Sequence, residues 1–260
     1  MTGGDASADS SADVDGDGSS TADADAGRRS YVEEVTADVP ASWWRFGESD
    51  PSMPAHDEMG VQSGTYHVPG LALGTAGAIA GDPNTAVSFD ATGGYVSLSG
   101  SLYDFGGSPP FAIEVWIAPS APPAADAADT DRRVLSHRTD SPYFGWYLLL
   151  QPDQTLSFTR WDQDATVGSL ASPPLTTGVF AHVVVSSDGA TMTMYVNGAA
   201  VAQGAAGTVT PNTPALNLSW GSNSDIDAQF YSGALDEGAI YTHELSAARV
   251  LAHYRAGTAP

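Results

Sequence analysis

The chain has 260 residues and a formal net charge of −22, because 31 aspartates and glutamates face only 9 lysines and arginines. This balance argues against nucleic acid and anionic membranes as partners, since both require clustered basic residues. The acidic net charge favours neutral or cationic ligands. The absence of cysteine excludes disulfides, thiolate metal sites and thiol nucleophiles, while 28 glycines and 17 prolines favour a turn-rich all-β fold.

The first forty residues differ from the rest of the chain. Residues 1–29 consist almost entirely of Gly, Ala, Ser, Asp and Thr, too few apolar side chains to offset the entropy of ordering. We therefore predict a disordered acidic linker or tail over residues 1–40 and one folded domain over residues 41–257. A helical turn at 31–35 can lead into the domain. The first residues lack the basic start and apolar stretch of a signal peptide, and the sequence contains no apolar run long enough to span a membrane.

Several short segments before the middle of the chain alternate apolar and polar residues, which is typical of strands with one buried face. The clearest, residues 111–119, ends on a proline and predicts a strand buried on one face. The passage from 48 to 81 is irregular, so it either crosses between sheets or carries the site. The strands predicted before residue 180 are 43–48, 86–90, 93–98, 111–119, 133–137, 145–151 and 156–161.

Residues 180–204 predict a β-meander of three strands. The dipeptides Asp188-Gly189 and Asn197-Gly198 tolerate positive φ, and short runs rich in valine, threonine and aromatic residues flank both. Two further strands are predicted at 215–221 and 233–241. The chain then ends in a single helix.

This C-terminal helix is the only one that the sequence predicts with clear end signals. Ser246 can cap its first turn, Val250 and Tyr254 share one face, and Gly257 can close it. Roughly a dozen strands and one short helix place the chain in the all-β class.

Several motifs, taken in order and spacing, resemble the laminin-G-like or concanavalin A-like domains of bacterial secreted and surface proteins. The resemblance covers about residues 42–257. Its marks are WRFGE at 44–48, Asp57 with Gly60 and GTY at 64–66, AVSFD at 86–90, FAIEVW at 111–116, HVV at 182–184, YVNG at 195–198, GALDEGAIY at 233–241, and Leu245 with Ser246.

The resemblance implies a jelly-roll sandwich of two antiparallel sheets. It also implies carbohydrate or protein ligands and frequently one calcium ion, without implying catalysis. Glucanases of this superfold place their carboxylates on one strand as Glu-x-Asp-x-x-Glu, and this pattern does not occur here. The adjacent carboxylates Asp236 and Glu237 would point to opposite faces of a strand, so we interpret them as a structural pair.

Calcium binding suits the carboxylates better than catalysis does, because calcium takes six to eight hard oxygens gathered from several loops. The candidate ligands are Asp57, Asp90 and Asp236, which the resemblance would bring toward one edge of the sandwich. The alternative is that these aspartates only cap backbone N–H groups in turns. The histidines show no paired ligand spacing, which argues against zinc.

Aromatic residues near strand ends are the remaining functional feature, since exposed rings bind the apolar C–H faces of sugars. Trp161 is the strongest candidate, because Leu156 and Phe158 mark the inward parity of its strand and leave Trp161 on the other face. Trp116 and Trp220 follow inward parity and are predicted to be core. The predicted ligand-binding residues are Trp161, Tyr143, Phe144, Trp146 and Tyr231.

The sequence therefore predicts a non-catalytic recognition module, lectin-like or adhesive, at the cell surface or in the cell envelope. Its partner would be a carbohydrate or a surface protein. The export prediction rests on the resemblance and on the composition of the tail, and the missing signal sequence counts against it. The alternatives are a structural or protein-interaction domain without a sugar site and, more distantly, a glucanase-type hydrolase.

Overall fold

A computed structural model describes residues 1, 3, 28–98, 102–121, 131–139, 141–211, 217–226 and 228–259. Most of the predicted tail lies outside these residues. The described part contains sixteen strands and two helices. Neither helix is long and apolar enough to cross a membrane.

The elements alternate short strands with turns along most of the chain. The helices are α1 (Tyr31–Ala37) and α2 (Ala247–Thr258). The strands are β1 (Ser42–Trp44), β2 (Pro54–Ala55), β3 (Gly64–His67), β4 (Leu71–Ala76), β5 (Thr85–Asp90), β6 (Tyr95–Leu98), β7 (Phe111–Pro119), β8 (Arg132–Arg138), β9 (Gly145–Leu150), β10 (Thr155–Asp162), β11 (Ala165–Pro174), β12 (Ala181–Ser187), β13 (Thr191–Val196), β14 (Ala199–Ala205), β15 (Leu218–Trp220) and β16 (Ser232–Tyr241).

The strands form two eight-stranded sheets. Sheet A has the order β14-β13-β12-β7-β16-β5-β4, with β1 paired to β16, and sheet B has the order β11-β10-β9-β8-β15-β6-β3-β2. All strand pairs within the sheets are antiparallel. The predicted all-β sandwich of two antiparallel sheets is confirmed.

The main core lies between the sheets and is built from alternate residues of facing strands. Ile113, Val115 and Ile117 of β7 belong to it, as does Trp220 of β15. The other face of β7 is buried as well, since all nine residues of this strand are buried. The prediction of a strand buried on one face was therefore wrong for β7. Trp116 is buried as predicted, but it belongs to a second cluster on the outer face of sheet A.

The two helices cover this outer face. Ser30 caps α1 by accepting a hydrogen bond from the backbone N–H of Glu33, whose side chain accepts one from the N–H of Ser30. Tyr31 and Val35 of α1 are buried in the outer cluster. The domain boundary predicted at residue 41 is thus corrected, because the folded part includes α1, and the described residues contain one more helix than predicted.

Helix α2 begins as predicted at the Ser246 cap but does not end at Gly257. The helix continues to Thr258, so this glycine lies inside the last turn. A Cβ atom at Gly257 would lie 2.5 Å from the indole ring of Trp116. The glycine therefore allows α2 to approach sheet A closely.

The predicted meander is confirmed as β12, β13 and β14, and its second turn has the expected backbone. Asn197 has a φ of 52° and Gly198 a φ of 77°, which are values for a two-residue hairpin turn with both central residues left-handed. This turn also lies against α2. A Cβ atom at Gly198 would lie 2.9 Å from Cδ1 of Leu251 and 3.0 Å from Cδ1 of Tyr254.

Gly198→Ala is expected to lower the free energy of unfolding by about 2–4 kcal/mol. About 1–2 kcal/mol comes from the left-handed backbone and about 1–2 kcal/mol from overpacking against α2. Gly178→Ala is the matched control, because Gly178 has a φ of 71° but nothing within 4 Å of its Cβ position. Urea denaturation of both variants separates the two contributions. Equal losses would show that α2 does not pack on this turn.

Candidate functional site

Three strands of sheet B end together at one end of the sandwich. Arg138 closes β8, Gly145 opens β9 and Trp161 lies near the end of β10, and the register pairs Gly145 with both of the other residues. The segment before β9 carries Tyr143 and Phe144. The pairing of these strands therefore brings together three of the five aromatic residues predicted to bind a ligand.

Tyr143, Phe144 and Trp161 form, with Arg138, what we call the aromatic surface. The rings of Tyr143 and Trp161 meet edge to face with a centroid distance of 5.3 Å. The guanidinium carbon of Arg138 lies 4.1 Å from the centroid of Tyr143 and 5.8 Å from that of Trp161. All four side chains are half-buried. These contacts fix the rings of Tyr143 and Trp161 while leaving part of their area to solvent, which lowers the entropy lost on binding.

Local hydrogen bonds hold this end in place. The backbone N–H of Arg138 donates to Oγ of Ser224 at 2.9 Å, and that of Tyr143 donates to Oδ1 of Asp164 at 2.7 Å. Beside Trp161, Asp162 accepts a 2.9 Å hydrogen bond from the N–H of Thr210. The aromatic surface is therefore tied to the loops around it.

A small cleft opens beside the aromatic surface, with a volume of about 10 Å³. Phe144 belongs both to the aromatic surface and to the wall of the cleft. The residues that line it are Asp104, Gly106, His137, Phe144, Gly145, Val209 and Thr210.

A buried arginine holds the loops that form the far wall of this cleft. Arg160 has no exposed surface, and its guanidinium donates to the carbonyl oxygens of Phe105 at 2.6 Å and of Ala206 at 2.9 Å. Burial lowers the pKa of Arg160 to about 10, which still leaves it charged at neutral pH. Its charged guanidinium therefore links β10 to the two loops that contain Phe105 and Ala206.

The other two predicted ligand-binding residues are corrected. Trp146 and Tyr231 are both fully buried in the core between the sheets. Trp146 points inward because it alternates with the outward Tyr147 on β9, and its Nε1 donates to the carbonyl oxygen of Tyr103 at 2.8 Å. Neither ring presents a face to a ligand.

The three predicted calcium ligands do not come together. Asp57 is buried, and its carboxylate accepts hydrogen bonds from the hydroxyl of Ser42 and from four backbone N–H groups, those of Trp43, Met59, Val61 and Gln62. These donors occupy both oxygens, so Asp57 organises the 57–62 loop.

Asp90 and Asp236 lie far apart on neighbouring strands. Asp90 pairs with Ser232, four residues before Asp236, which corresponds to roughly 13 Å along a strand. Asp90 is exposed and accepts hydrogen bonds from the N–H and hydroxyl of Thr92. In the described ranges no group of three histidine, aspartate or glutamate side chains is placed to hold a metal ion. A structural calcium ion stays a prediction from the sequence, and these three aspartates do not form its site.

Asp236 and Glu237 do not alternate as the sequence predicted. A β-bulge lies between Asp236 and Ala239 and Glu237 has a φ of 53°, so both carboxylates interact with Arg45. Burial raises the pKa of each above its ordinary value, and the charge of Asp236 raises that of Glu237 further. Trp43 Nε1 donates to Glu237 at 2.8 Å and the N–H of Ala78 donates to Asp236 at 2.7 Å. Through these contacts both carboxylates stabilise the packing of sheet A.

Sequence reasoning missed Arg138, His137 and Arg160. The alternation along β10 that predicts an outward Trp161 also predicts that Arg160 points inward with Leu156 and Phe158. The burial of Arg160 could therefore have been predicted from the sequence. No sequence pattern pointed to His137, because its place in the cleft depends on two loops distant in the chain.

Together, the two antiparallel sheets and their strand order define a jelly-roll sandwich. The family model described as the concanavalin A-like lectin/glucanases superfamily matches residues 90–251, more than half of the chain. The protein therefore belongs to this superfamily, and the resemblance stated from the motifs is confirmed. No curated protein matches the chain.

Solved structures with the same fold come from proteins with different roles. The binding domain of botulinum neurotoxin serotype D matches with a TM-score of 0.62 at 13% identity, over 84% of this chain and 52% of that chain. Domain 4 of AbnA, a GH43 extracellular arabinanase from Geobacillus stearothermophilus in complex with arabinotriose, matches with a TM-score of 0.54 at 18% identity, over 83% and 98% of the two chains. A Trypanosoma rangeli sialidase matches with a TM-score of 0.58 at 13% identity, over 84% and 33%. This chain thus spans about half of the neurotoxin domain, and these identities establish a shared fold alone.

Proposed function

We propose that the protein is a non-catalytic recognition module that binds a neutral saccharide at the aromatic surface. The half-buried pair of Tyr143 and Trp161 is the observation that carries this proposal. Sugar rings present apolar C–H faces, and fixed aromatic rings with part of their area exposed bind such faces. The net charge of −22 favours a neutral saccharide over an anionic one.

The comparisons support a binding role for this fold. One similar structure is a toxin's binding domain and another, an arabinanase domain, was solved with arabinotriose. By analogy, we place the protein outside the cell or in the cell envelope, where a carbohydrate or a surface protein would be its partner.

The placement of Asp236 and Glu237 supports a role without catalysis. Retaining and inverting glycosidases need two carboxyl groups that flank one glycosidic bond. Here both carboxylates are buried in sheet A and held by Trp43, Arg45 and Ala78. A glycosidic bond cannot be placed between them in this arrangement.

Trp161→Ala is expected to weaken saccharide binding about fivefold, because stacking on one ring contributes about 1 kcal/mol. The measurement is calorimetric titration with a panel of neutral oligosaccharides. Phe180→Ala is the matched control, since Phe180 is also half-buried but packs on the outer face of sheet A.

Three results would contradict the proposal. If the wild-type protein binds no saccharide of the panel, the alternative of a structural or protein-interaction domain takes its place. If Phe180→Ala weakens binding as much as Trp161→Ala does, the site is not at the aromatic surface. Release of reducing ends from a polysaccharide by the wild-type protein would instead revive the hydrolase alternative.

A further inference from the structure

The aromatic surface contains a guanidinium group that meets Trp161 across a glycine. Arg138 of β8 and Trp161 of β10 are both paired with Gly145 of β9, so the three residues lie in one row across sheet B. Neighbouring strands lie about 4.8 Å apart, and glycine adds no side chain between the other two. The guanidinium carbon of Arg138 reaches to 5.8 Å from the indole centroid. Arg138 and Trp161 therefore border the same stretch of the outer face.

Three aromatic rings fix the position of this guanidinium. Its carbon atom lies 4.1 Å from the ring centroid of Tyr143 and 5.3 Å from that of Tyr147, in addition to the contact with Trp161. The backbone N–H of Arg138 is held by Oγ of Ser224. Tyr147 is buried, whereas Arg138, Tyr143 and Trp161 are half-buried. The guanidinium is therefore held at the boundary with solvent, beside the two rings that we propose to stack on a sugar.

The chemistry of a guanidinium decides which of its atoms meet a ligand. The group is planar, aromatic rings contact its faces, and its N–H donors point outward within its plane. A saccharide ring that stacks on Trp161 carries hydroxyl groups around its rim, and their oxygen atoms are acceptors. Because the guanidinium carbon lies 5.8 Å from the indole centroid, this rim comes within hydrogen-bond distance of the N–H groups.

A guanidinium pairs with two adjacent oxygen atoms better than with one. Two of its N–H groups donate side by side in a fixed geometry, which the single ammonium group of lysine does not reproduce. Adjacent hydroxyl groups of a sugar ring present such a pair of oxygens. These hydrogen bonds need no negative charge on the ligand, which agrees with a protein whose net charge is −22.

We propose that Arg138 is a specificity-determining residue of the module, and that its guanidinium donates hydrogen bonds to two adjacent hydroxyl groups of the saccharide ring stacked on Trp161. This inference rests on the proposed function. It defines the ligand class more narrowly, as a neutral saccharide whose stacked ring has two adjacent, unsubstituted hydroxyl groups on the edge that faces Arg138.

The test compares sugars that differ by one hydroxyl group. The probes are the methyl glycosides of glucose, galactose, xylose and arabinose, each with its monodeoxy analogues. The wild-type protein is expected to bind two analogues, which lack neighbouring hydroxyl groups, about tenfold more weakly than their parent, because each loses a hydrogen bond from a charged donor. Arg138→Met is expected to bind the parent at least about tenfold more weakly and to bind parent and analogues equally. Arg138→Lys keeps the charge but not the paired donors, so it should restore part of the affinity without the dependence on both hydroxyl groups.

A purely structural role of Arg138 gives a different pattern. If the guanidinium only holds Tyr143 in place, the wild-type protein does not distinguish the analogues, and Arg138→Met weakens the binding of parent and analogues by the same factor. That pattern would overturn the inference. Arg255→Met is the matched control, because Arg255 is exposed on α2, and it should bind every probe as the wild-type protein does.

The neutral oligosaccharides of the panel separate this inference from the proposed function. If Trp161→Ala weakens their binding while Arg138→Met leaves it unchanged, only this inference fails. If they bind where the methyl glycosides do not, the inference requires the same loss of at least about tenfold in Arg138→Met and a partial recovery in Arg138→Lys. If the wild-type protein binds neither glycosides nor oligosaccharides, the proposed function and this inference fail together.

Discussion

Replacing Glu114 with alanine is expected to lower the free energy of unfolding by about 3–5 kcal/mol, because the change breaks a buried, hydrogen-bonded ionic cluster and leaves its partners unpaired. Glu114 has no exposed surface. Its carboxylate accepts hydrogen bonds from the hydroxyls of Tyr31 at 2.9 Å and Tyr241 at 2.8 Å. It also contacts Nε2 of His182 at 2.8 Å and Nδ1 of His253 at 2.9 Å. One side chain thus joins both helices to sheet A.

Chemical denaturation measures this loss, and Glu58→Ala is the control. Glu58 is exposed, so its replacement is expected to change stability by no more than about 0.5 kcal/mol. A loss below 1 kcal/mol for Glu114→Ala would show that the helices are held by apolar packing alone.

The same cluster gives stability a pH dependence whose sign follows from two groups. Burial alone would raise the pKa of Glu114, but His253 and His182 outweigh it and hold this pKa well below its usual range. Burial alone would lower the pKa of His253, but Glu114 and Asp38 raise it above its ordinary value. The contribution of Glu114 is lost as the pH falls through its folded pKa. That of His253 is fully present below its unfolded pKa of about 6.5 and is lost as the pH rises through the raised folded value.

The melting temperature of the wild-type protein should therefore fall on both sides of a mildly acidic range, and Glu114→Gln should flatten both limbs. An unchanged pH profile in this variant would place the titrating groups elsewhere.

Arg160→Met is expected to lower the free energy of unfolding by about 3 kcal/mol, the second large effect. A hydrogen bond from a charged donor contributes about 1.5–3 kcal/mol, and a buried carbonyl left unpaired costs about 1–3 kcal/mol. Arg160 donates to Phe105 and Ala206 and, at 3.2 Å, to Gly207. Methionine fills a similar volume but donates nothing.

Since these loops lie beside Phe144 of the aromatic surface, Arg160→Met should weaken saccharide binding as well. Arg255→Met is the control, because Arg255 is exposed on α2 and is expected to be close to neutral. Denaturation and calorimetry on the same preparations give both quantities. Full stability in Arg160→Met would mean that the loops are held without the guanidinium.

The meander and the outward position of Trp161 could be predicted because they depend on local signals. Turn dipeptides with left-handed backbone and an alternation of period two act within a few residues. The position of the Asn197-Gly198 turn and the half-buried state of Trp161 follow directly from them.

What could not be predicted depends on contacts between distant parts of the chain. Glu114 alternates with Ile113 and Val115, so its parity indicates the solvent side, and only the docking of α1 and α2 makes that side a second core. Trp146 shows the opposite case. Its place near a strand end predicted an exposed ring, but the ring points into the core between the sheets. A bulge reverses parity at Glu237, and the sequence offers no local signal for a bulge there.

Two-dimensional NMR of the ¹⁵N-labelled protein, titrated with the tightest-binding neutral oligosaccharide of the panel, tests the central claim most directly. Recognition at the aromatic surface predicts that the indole N–H of Trp161 and the amides of Tyr143 and Phe144 shift first, while amides around Phe180 on sheet A do not move. Shifts confined to the outer face of sheet A, or no shifts at saturating sugar, would contradict saccharide recognition at the aromatic surface.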